Sequence, residues 1–176
     1  NEEFRVSLPG KFNTYNALAA ILVLKKLNIN LEESKKALEN LKVRGRMETA
    51  LINADYKVVI DYAHTKDAMN NLIETLKDYN CKRLVAIFGG GGNRSKRRRL
   101  DLGEIFGKYC DLCILTMDNP RFEEISSINN DIKEGLNKVN AKYIEINDRR
   151  EAIEYAILNH EKGDLILLVG KGHEEY

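Results

Sequence analysis

A run of four glycines followed by a cluster of cations is the stretch of this sequence best suited to binding an anion. The glycines occupy positions 89–92, directly after the apolar run 84–88. Glycine accepts positive φ and lets another molecule approach the bare backbone, and successive N–H groups in such a turn can form an anion-binding concavity. Residues 82–99 contain seven Lys or Arg and no Asp or Glu, so the stretch could hold a phosphate or a carboxylate. Because it matches neither the P-loop nor the dinucleotide-binding glycine pattern, a glycine turn with a solvated basic helix face is the alternative.

Two further polar clusters could complete a pocket for an amino acid. The first is a DNPR sequence, made of Asp118, Asn119, Pro120 and Arg121. Arg121 could bind a carboxylate through two parallel hydrogen bonds, which lysine cannot make with the same geometry. In the second cluster, Gly170 permits close approach and Glu174 could pair with an ammonium group. Arg94 and Arg121 for carboxylates, with Glu174 for an amine, would suit a zwitterion, whereas a turn with an exposed arginine is the alternative for DNPR.

A fourth cluster has the composition of a nucleotide contact. Asp61 could accept a hydrogen bond from a ribose hydroxyl, and His64 could donate one to a phosphate. A histidine that satisfies only local structure is the alternative for His64. Whether this cluster lies near the other three depends on how the chain folds.

Alternating strand and helix patterns from residue 46 onward predict an α/β fold. We expect a Rossmann-like three-layer domain with a mainly parallel six-stranded sheet, one antiparallel edge strand, and helices on both faces. The predicted strands are 47–53, 57–61, 84–88, 112–116, 143–146 and 165–169, and the predicted helices are 65–79, 97–109, 125–139 and 149–159. Ligands of open α/β sheets bind outside the carboxyl ends of the strands. All four polar clusters follow a strand and should meet at that edge.

The first 42 residues have a different pattern. Amphipathic helices are predicted at 16–27 and 31–41 with no strand between them. We therefore place a domain boundary near residues 42–45, with 1–42 as the helical end of a preceding domain and 43–176 as the α/β domain. The sequence begins at Asn1 rather than Met, as expected for a piece of a longer protein.

Composition narrows the class of protein. The chain has 43% hydrophobic and 31% charged residues and a net charge of +1, so as a whole it is not a nucleic-acid or membrane-surface binder. No apolar run is long enough to span a membrane, and no signal peptide is visible. Three cysteines are too few for a disulfide framework and fit a reducing cytoplasm. Cys110 and Cys113 form a CxxC, but because no further ligands with matching spacing accompany them we expect core cysteines rather than a metal site.

Six motifs in order resemble the carboxy-terminal domain of the Mur ligases, in particular of the members that add the third amino acid of the peptidoglycan peptide. The motifs are GRME (45–48), IDYAHTKD (60–67), FGGGGNRSKRRR (88–99), DNPR (118–121), NDRREAI (147–153) and GKGHE (170–174). KFNTYNALAA (11–20) is similar to the end of that family's central ATPase domain. The resemblance implies a bacterial cytoplasmic ligase that uses ATP to form an amide bond on UDP-MurNAc-L-Ala-D-Glu through an acyl phosphate.

The same resemblance implies roles for single residues. Asn16 would contact adenine, Arg46 and Asp61 would bracket the ribose, and His64 would lie near the phosphates. The incoming amino acid would be held by Arg94, Asp118, Asn119, Pro120, Arg121, Gly170 and Glu174. DNPR is the variant associated with meso-diaminopimelate. Lanthionine and lysine remain alternatives, because Asn93 and Ser95 replace the acidic residues usual beside Arg94.

Several parts of such a ligase are not found in these 176 residues. They are the GKT phosphate loop, the magnesium ligands, the carbamylated lysine and the UDP-sugar domain. We therefore expect Mg²⁺ to be bound mainly by the central domain, and this stretch alone to have no catalytic residue and no turnover. A stand-alone module that binds an amino acid or a nucleotide, and a related ligase that adds glutamate to folate, are the alternatives.

Overall fold

The structure, a computed structural model, describes residues 2–51 and 55–172. Its described residues form one six-stranded sheet in the order β1-β2-β6-β3-β4-β5. The strands are β1 (Glu48–Leu51), β2 (Tyr56–Asp61), β3 (Arg83–Phe88), β4 (Leu112–Leu115), β5 (Tyr143–Glu145) and β6 (Asp164–Val169). β1 is antiparallel to β2 and the other neighbours are parallel. The predicted mainly parallel sheet with one antiparallel edge strand is confirmed.

Six α-helices accompany the sheet in the described residues. They are α1 (Lys11–Lys26), α2 (Leu31–Glu39), α3 (Lys66–Leu76), α4 (Lys96–Tyr109), α5 (Ile125–Lys138) and α6 (Arg149–Leu158), and a 3₁₀ turn, Lys77–Tyr79, follows α3. Thr65 and Asp148 cap α3 and α6 with their side-chain oxygens. Predicted and observed bounds differ most at α1, which begins at Lys11, five residues before the predicted start. Gly10 is the N-cap, and the Pro9 carbonyl oxygen accepts from Asn13 Nδ2, neither of which apolar periodicity reveals.

Helices cover both faces of the sheet, which confirms the predicted three layers. On one face, Val59, Ala86 and Leu167 pack with residues of α3, α4 and α5 in a single apolar cluster. On the other face, Val58, Ile87 and Ile166 pack with alanines of α6. Since side chains of successive strand residues point to opposite faces, a sheet covered on both sides needs the unbroken apolar strands seen here.

The strand order brings four strand ends together. β6 returns between β2 and β3, so that Asp61 pairs with Val169 and Phe88 pairs with Leu115 in register. The order of the chain reverses at this point, and the loops after β2, β3, β4 and β6 leave the same edge of the sheet. The predicted convergence of the polar clusters is confirmed for the residues that the structure describes.

The cysteines lie away from that edge. Cys110 and Cys113 are buried in the larger apolar cluster and no cysteine is in a disulfide, as expected for core residues. Within residues 2–51 and 55–172, no group of three or more His, Cys, Asp or Glu side chains is arranged to hold a metal ion. None of the helices in these ranges has the length and apolar character needed to cross a membrane.

Candidate functional site

Two adjacent clefts open at the carboxyl edge of the sheet. The first cleft is lined by residues of all four converging loops, among them His64, Arg94, Arg98, Asp118, Asn119, Arg121 and Gly170. The second cleft lies between the sheet and the N-terminal segment, and its lining includes Asn13, Arg46, Asp61 and His64. Ala63 and His64 line both clefts. The two clefts therefore meet at Ala63 and His64.

Most predicted site residues are brought to these clefts, and three are not. Pro120 lies in the loop of the first cleft but not in its lining. Asn16 is exposed on α1, outside the lining of the second cleft, and its Nδ2 donates to Oδ1 of Asn13 at 3.1 Å. Glu174 lies outside the described residues.

Ion pairs within the protein neutralise much of the basic stretch at residues 82–99. Arg83, Lys96, Arg97 and Arg99 each pair with at least one carboxylate. Arg94 makes no hydrogen bond or ion pair with the described residues, and Arg98 makes its hydrogen bond to a carbonyl oxygen rather than to an acid. The alternative of a solvated basic helix face is therefore wrong for Arg99, which is buried. The positive charge left for a ligand is concentrated at the first cleft, on Arg94, Arg98 and Arg121.

The four glycines of the loop at 89–92, here called the glycine loop, serve close packing of the chain against itself. None of them has positive φ. A Cβ at Gly92 would lie 1.8 Å from the carbonyl oxygen of Pro120, and one at Gly89 would lie 2.1 Å from that of Thr116. The Gly92 N–H donates to the carbonyl oxygen of Asn119 at 2.8 Å. The positive φ that glycine permits is not used, and this N–H is not available for an anion-binding concavity.

Arg121 is held in an uncommon backbone conformation. Its φ is 51°, in the left-handed region that non-glycine residues seldom adopt. Asn119 Oδ1 accepts from the Arg121 backbone N–H at 3.2 Å, and the Arg121 guanidinium donates through Nη1 to the carbonyl oxygen of Gly92 at 2.6 Å. The DNPR sequence thus forms a turn, as its alternative interpretation expected, and that turn brings the guanidinium to the first cleft.

Asp61 lies buried at the base of the second cleft, with 7% of its surface exposed. Its two carboxylate oxygens accept from the backbone N–H groups of Met47 and Ala63, at 2.9 and 2.7 Å. Burial raises the pKa of this carboxyl, and the two hydrogen bonds and the charge of Arg46 act against that rise. Because each carboxylate oxygen has two lone pairs, Asp61 can still accept from a ligand while it holds the loop.

Three aromatic and cationic side chains lie side by side at the junction of the two clefts. The Arg46 guanidinium is 4.8 Å from the ring centroid of Tyr62, and the Tyr62 and His64 rings meet edge to face at 4.9 Å. His64 Nδ1 lies 3.0 Å from the Tyr62 carbonyl oxygen, which in a neutral ring assigns the proton to Nδ1 and leaves Nε2 as an acceptor. Stacking on the ring and this hydrogen bond limit the orientations of Arg46 and His64.

Two residues of the clefts were not identified from the sequence. Arg98 lies in the first turn of α4, and its Nε donates to the His64 carbonyl oxygen at 2.6 Å. Its place in the same basic run as Arg94 is the signal that could have identified it. Asn13 is buried in the second cleft, where its Nδ2 donates to the Pro9 carbonyl oxygen at 2.7 Å. No periodicity in the sequence distinguishes it from Asn16.

Comparison with known proteins gives consistent results for family and fold. Residues 45–172 match the model of the family described as Mur ligase, glutamate ligase domain. The chain is 49% identical over 175 residues to the UDP-N-acetylmuramoyl-L-alanyl-D-glutamate--2,6-diaminopimelate ligase of Caldanaerobacter subterraneus subsp. tengcongensis, and 45% identical over 176 residues to that of Alkaliphilus oremlandii. Both alignments cover 99% of this chain and 36% of the relative. A solved structure of a ligase with the same name superposes with a TM-score of 0.71 at 34% identity, covering 98% of this chain and 36% of that one. The chain spans about a third of the length of these relatives.

Proposed function

Because this chain belongs to the Mur ligase family, we propose that it forms the amino-acid-binding part of an ATP-dependent ligase in peptidoglycan synthesis. The full-length enzyme would add meso-diaminopimelate to UDP-MurNAc-L-Ala-D-Glu through an acyl phosphate. Two relatives at 49% and 45% identity that carry the name of this activity support the proposal. We expect this chain alone not to turn over, and we place the reaction in the bacterial cytoplasm.

The charge pattern of the first cleft is the observation that carries the proposal. Three guanidinium groups and the carboxylate of Asp118 line one cleft at the carboxyl edge of the sheet. Diaminopimelate has a carboxylate and an ammonium group at each end. We assign its carboxylates to Arg94 and Arg121 and an ammonium group to Asp118, with Asn119 and Gly170 beside them. Arginine suits this task because its planar fork matches a carboxylate. Pro120 fixes the turn of the loop, and Glu174 stays a predicted ammonium ligand.

The second cleft is our candidate for the nucleotide. Arg46 and Asp61 would hold the ribose, His64 would lie near the phosphates, and Asn16 would contact adenine. The proposal is supported by the residues that both clefts share, since acyl transfer needs the activated carboxylate and the incoming amine within reach of each other. We expect Mg²⁺ to be bound mainly by the central domain of the full-length ligase.

Exposed apolar residues of α1 and its C-terminal end support the proposed boundary near residue 42. Leu18, Leu22, Val23 and Leu27 of this segment are between 51% and 65% exposed. An apolar patch of this kind marks a contact surface. We propose that residues 1–42 complete a central ATPase domain, with these apolar side chains packed against it, and that residues 43–176 form the amino-acid-binding domain.

Calorimetric titration of the full-length ligase tests the proposal. The enzyme, with a nucleotide analogue and UDP-MurNAc-dipeptide present, would be titrated with meso-diaminopimelate, lanthionine and L-lysine in parallel. We expect the two diacids to bind more tightly than lysine, with meso-diaminopimelate the tightest, because only they offer a second carboxylate. Tighter binding of lysine would overturn the assignment of the two arginines, and binding of none of the three would overturn the proposed function.

A further inference from the structure

Glu123 and the buried Arg99 connect the two loops that carry the arginines of the first cleft. We propose that this pair, here called the Glu123–Arg99 latch, sets the distance between Arg94 and Arg121, so that both latch residues are positioning residues for the amino acid. The identity of the ligand rests on the proposed function, whereas the positioning role rests on the hydrogen bonds of Arg99 and Glu123.

Arg99 anchors the latch to the helical layer. It belongs to α4 and only 4% of its surface is exposed. Its Nη1 donates to Asp131 of α5 at 3.0 Å, and its Nη2 donates both to Glu123 Oε1 at 2.8 Å and to the Gly91 carbonyl oxygen at 3.2 Å. One guanidinium therefore holds the glycine loop and the segment after DNPR against the packed pair α4 and α5.

Glu123 connects the same two loops a second time. Its Oε1 also accepts from the backbone N–H of Asn93. Asn93 directly precedes Arg94, and Glu123 follows Arg121 by two residues. Each arginine of the cleft is thus within two residues of a latch contact. The hydrogen bond from Arg99, followed by that from Asn93, lowers the pKa of Glu123, so the carboxylate keeps its charge at neutral pH.

The latch acts without touching the ligand. Neither Glu123 nor Arg99 lines either cleft. The hydrogen bonds from the Gly92 N–H to Asn119 and from Arg121 to Gly92 join loop to loop but not loop to helix. The hydrogen bonds of the latch join both loops to α4 and α5, and binding of a diacid depends on the spacing of Arg94 and Arg121.

Steady-state kinetics of Glu123→Ala, made in the full-length ligase, test the role. The variant loses both the acceptor for Asn93 and the partner of Arg99. We expect the KM for diaminopimelate to rise about tenfold while the KM for ATP stays within about twofold, since only the spacing of the arginines changes. Glu123→Gln keeps an acceptor oxygen and should recover most of the loss. Glu134→Ala is the matched control, because Glu134 also pairs with a cation of α4, Lys96 at 2.9 Å, but contacts neither loop.

Hydrogen exchange of the substrate-free enzyme gives a readout that does not depend on the ligand. Peptides that cover residues 89–95 should exchange faster in Glu123→Ala than in the wild type or in Glu134→Ala. Unchanged KM for the amino acid, or an equal rise in both KM values, would overturn the positioning role. If the wild type does not use diaminopimelate, the proposed function fails and the exchange comparison alone decides the latch: equal rates overturn it and faster rates support it.

Discussion

The Arg121 guanidinium donates through Nη1 to the carbonyl oxygen of Gly92 at 2.6 Å, which fixes the side chain at the end of the DNPR sequence on the backbone of the glycine loop. Within the part of the chain that the structure describes, Nε and Nη2 of this arginine make no hydrogen bond. One edge of the guanidinium is thus used for structure, and the remaining donors are those that a carboxylate can approach. The bond therefore orients the arginine before any ligand arrives.

Replacing Arg121 by lysine separates these two tasks. A lysine ammonium can reach Gly92 or a carboxylate but cannot present a planar fork to both. We expect Arg121→Lys to weaken binding of diaminopimelate to the full-length ligase by about 1–3 kcal/mol, the range of a lost charge-assisted contact. Calorimetric titration of wild type and variant measures the difference. Equal affinities would remove Arg121 from the binding site.

The glycine loop and the DNPR loop approach each other most closely at Gly92. Because a Cβ there would lie 1.8 Å from the Pro120 carbonyl oxygen, Gly92→Ala must push the loops apart. We expect a loss of about 1–3 kcal/mol in the free energy of unfolding, the usual range for overpacking. Gly91→Ala is the control, because the nearest atom to its Cβ would be Arg121 Nη1 at 3.1 Å and the nearest backbone atom the Asn119 carbonyl oxygen at 3.9 Å. Denaturant titrations measure the free energy of unfolding of both variants. Similar losses would show that Gly92 is not required for the close approach of the two loops.

The glycine loop also shows what sequence reasoning could and could not supply. Its place after a buried strand was predictable, because an apolar run closed by glycine is typical of a central parallel strand. The close packing that requires glycine was not predictable, because Thr116 and Pro120, against which these glycines pack, are about 27 or more positions away in the chain. Close approach between distant loops leaves no local pattern, whereas hydrophobic periodicity does.

The same limit applies to the residues of the clefts. Arg46, Asp61 and His64 were predictable because they flank or follow a strand and belong to a recognisable motif. The two backbone N–H groups that donate to the buried Asp61 were not predictable, since one of them belongs to Met47, fourteen residues earlier. Asn13 was missed for a related reason: a buried asparagine and an exposed one, Asn16, look alike in a sequence.

Asp61 offers a test of its structural contribution. Asparagine has the same shape but one acceptor oxygen, so Asp61→Asn would leave either Met47 or Ala63 with a buried N–H facing an NH₂ group. We expect a loss of about 1–3 kcal/mol in the free energy of unfolding, the cost of an unsatisfied buried donor. Thermal or denaturant unfolding of the variant measures it. An unchanged stability would show that the loop from 61 to 63 is held by other contacts.

The ion pair between Arg83 and Asp164 in the sheet can be tested by substitution. They begin β3 and β6 as register partners, and the Asp164 side chain is 1% exposed. Arg83 donates through Nε and Nη2 at 3.0 and 2.6 Å. Arg83→Met would leave a buried carboxylate without its cation, and we expect a loss of about 3 kcal/mol in the free energy of unfolding. Arg150→Met, which breaks a pair exposed on α6, is the control and should change it by less than about 1 kcal/mol.

The pH dependence of stability gives a separate test of the Glu123–Arg99 latch. The Arg99 hydrogen bond, followed by that of Asn93, holds the pKa of Glu123 below its ordinary value of 4.5 in the folded protein. A carboxyl whose pKa is lower in the folded protein than in the unfolded chain binds fewer protons in the folded state, so its contribution to stability is complete above pH 4.5. That contribution is lost as the pH falls below 4.5 through the lowered pKa of the folded protein. Glu123→Gln cannot titrate, so its unfolding free energy should fall less steeply than that of the wild type between about pH 5 and pH 3. Denaturant unfolding at a series of pH values measures both slopes, and parallel slopes would mean that Glu123 carries no such stabilisation.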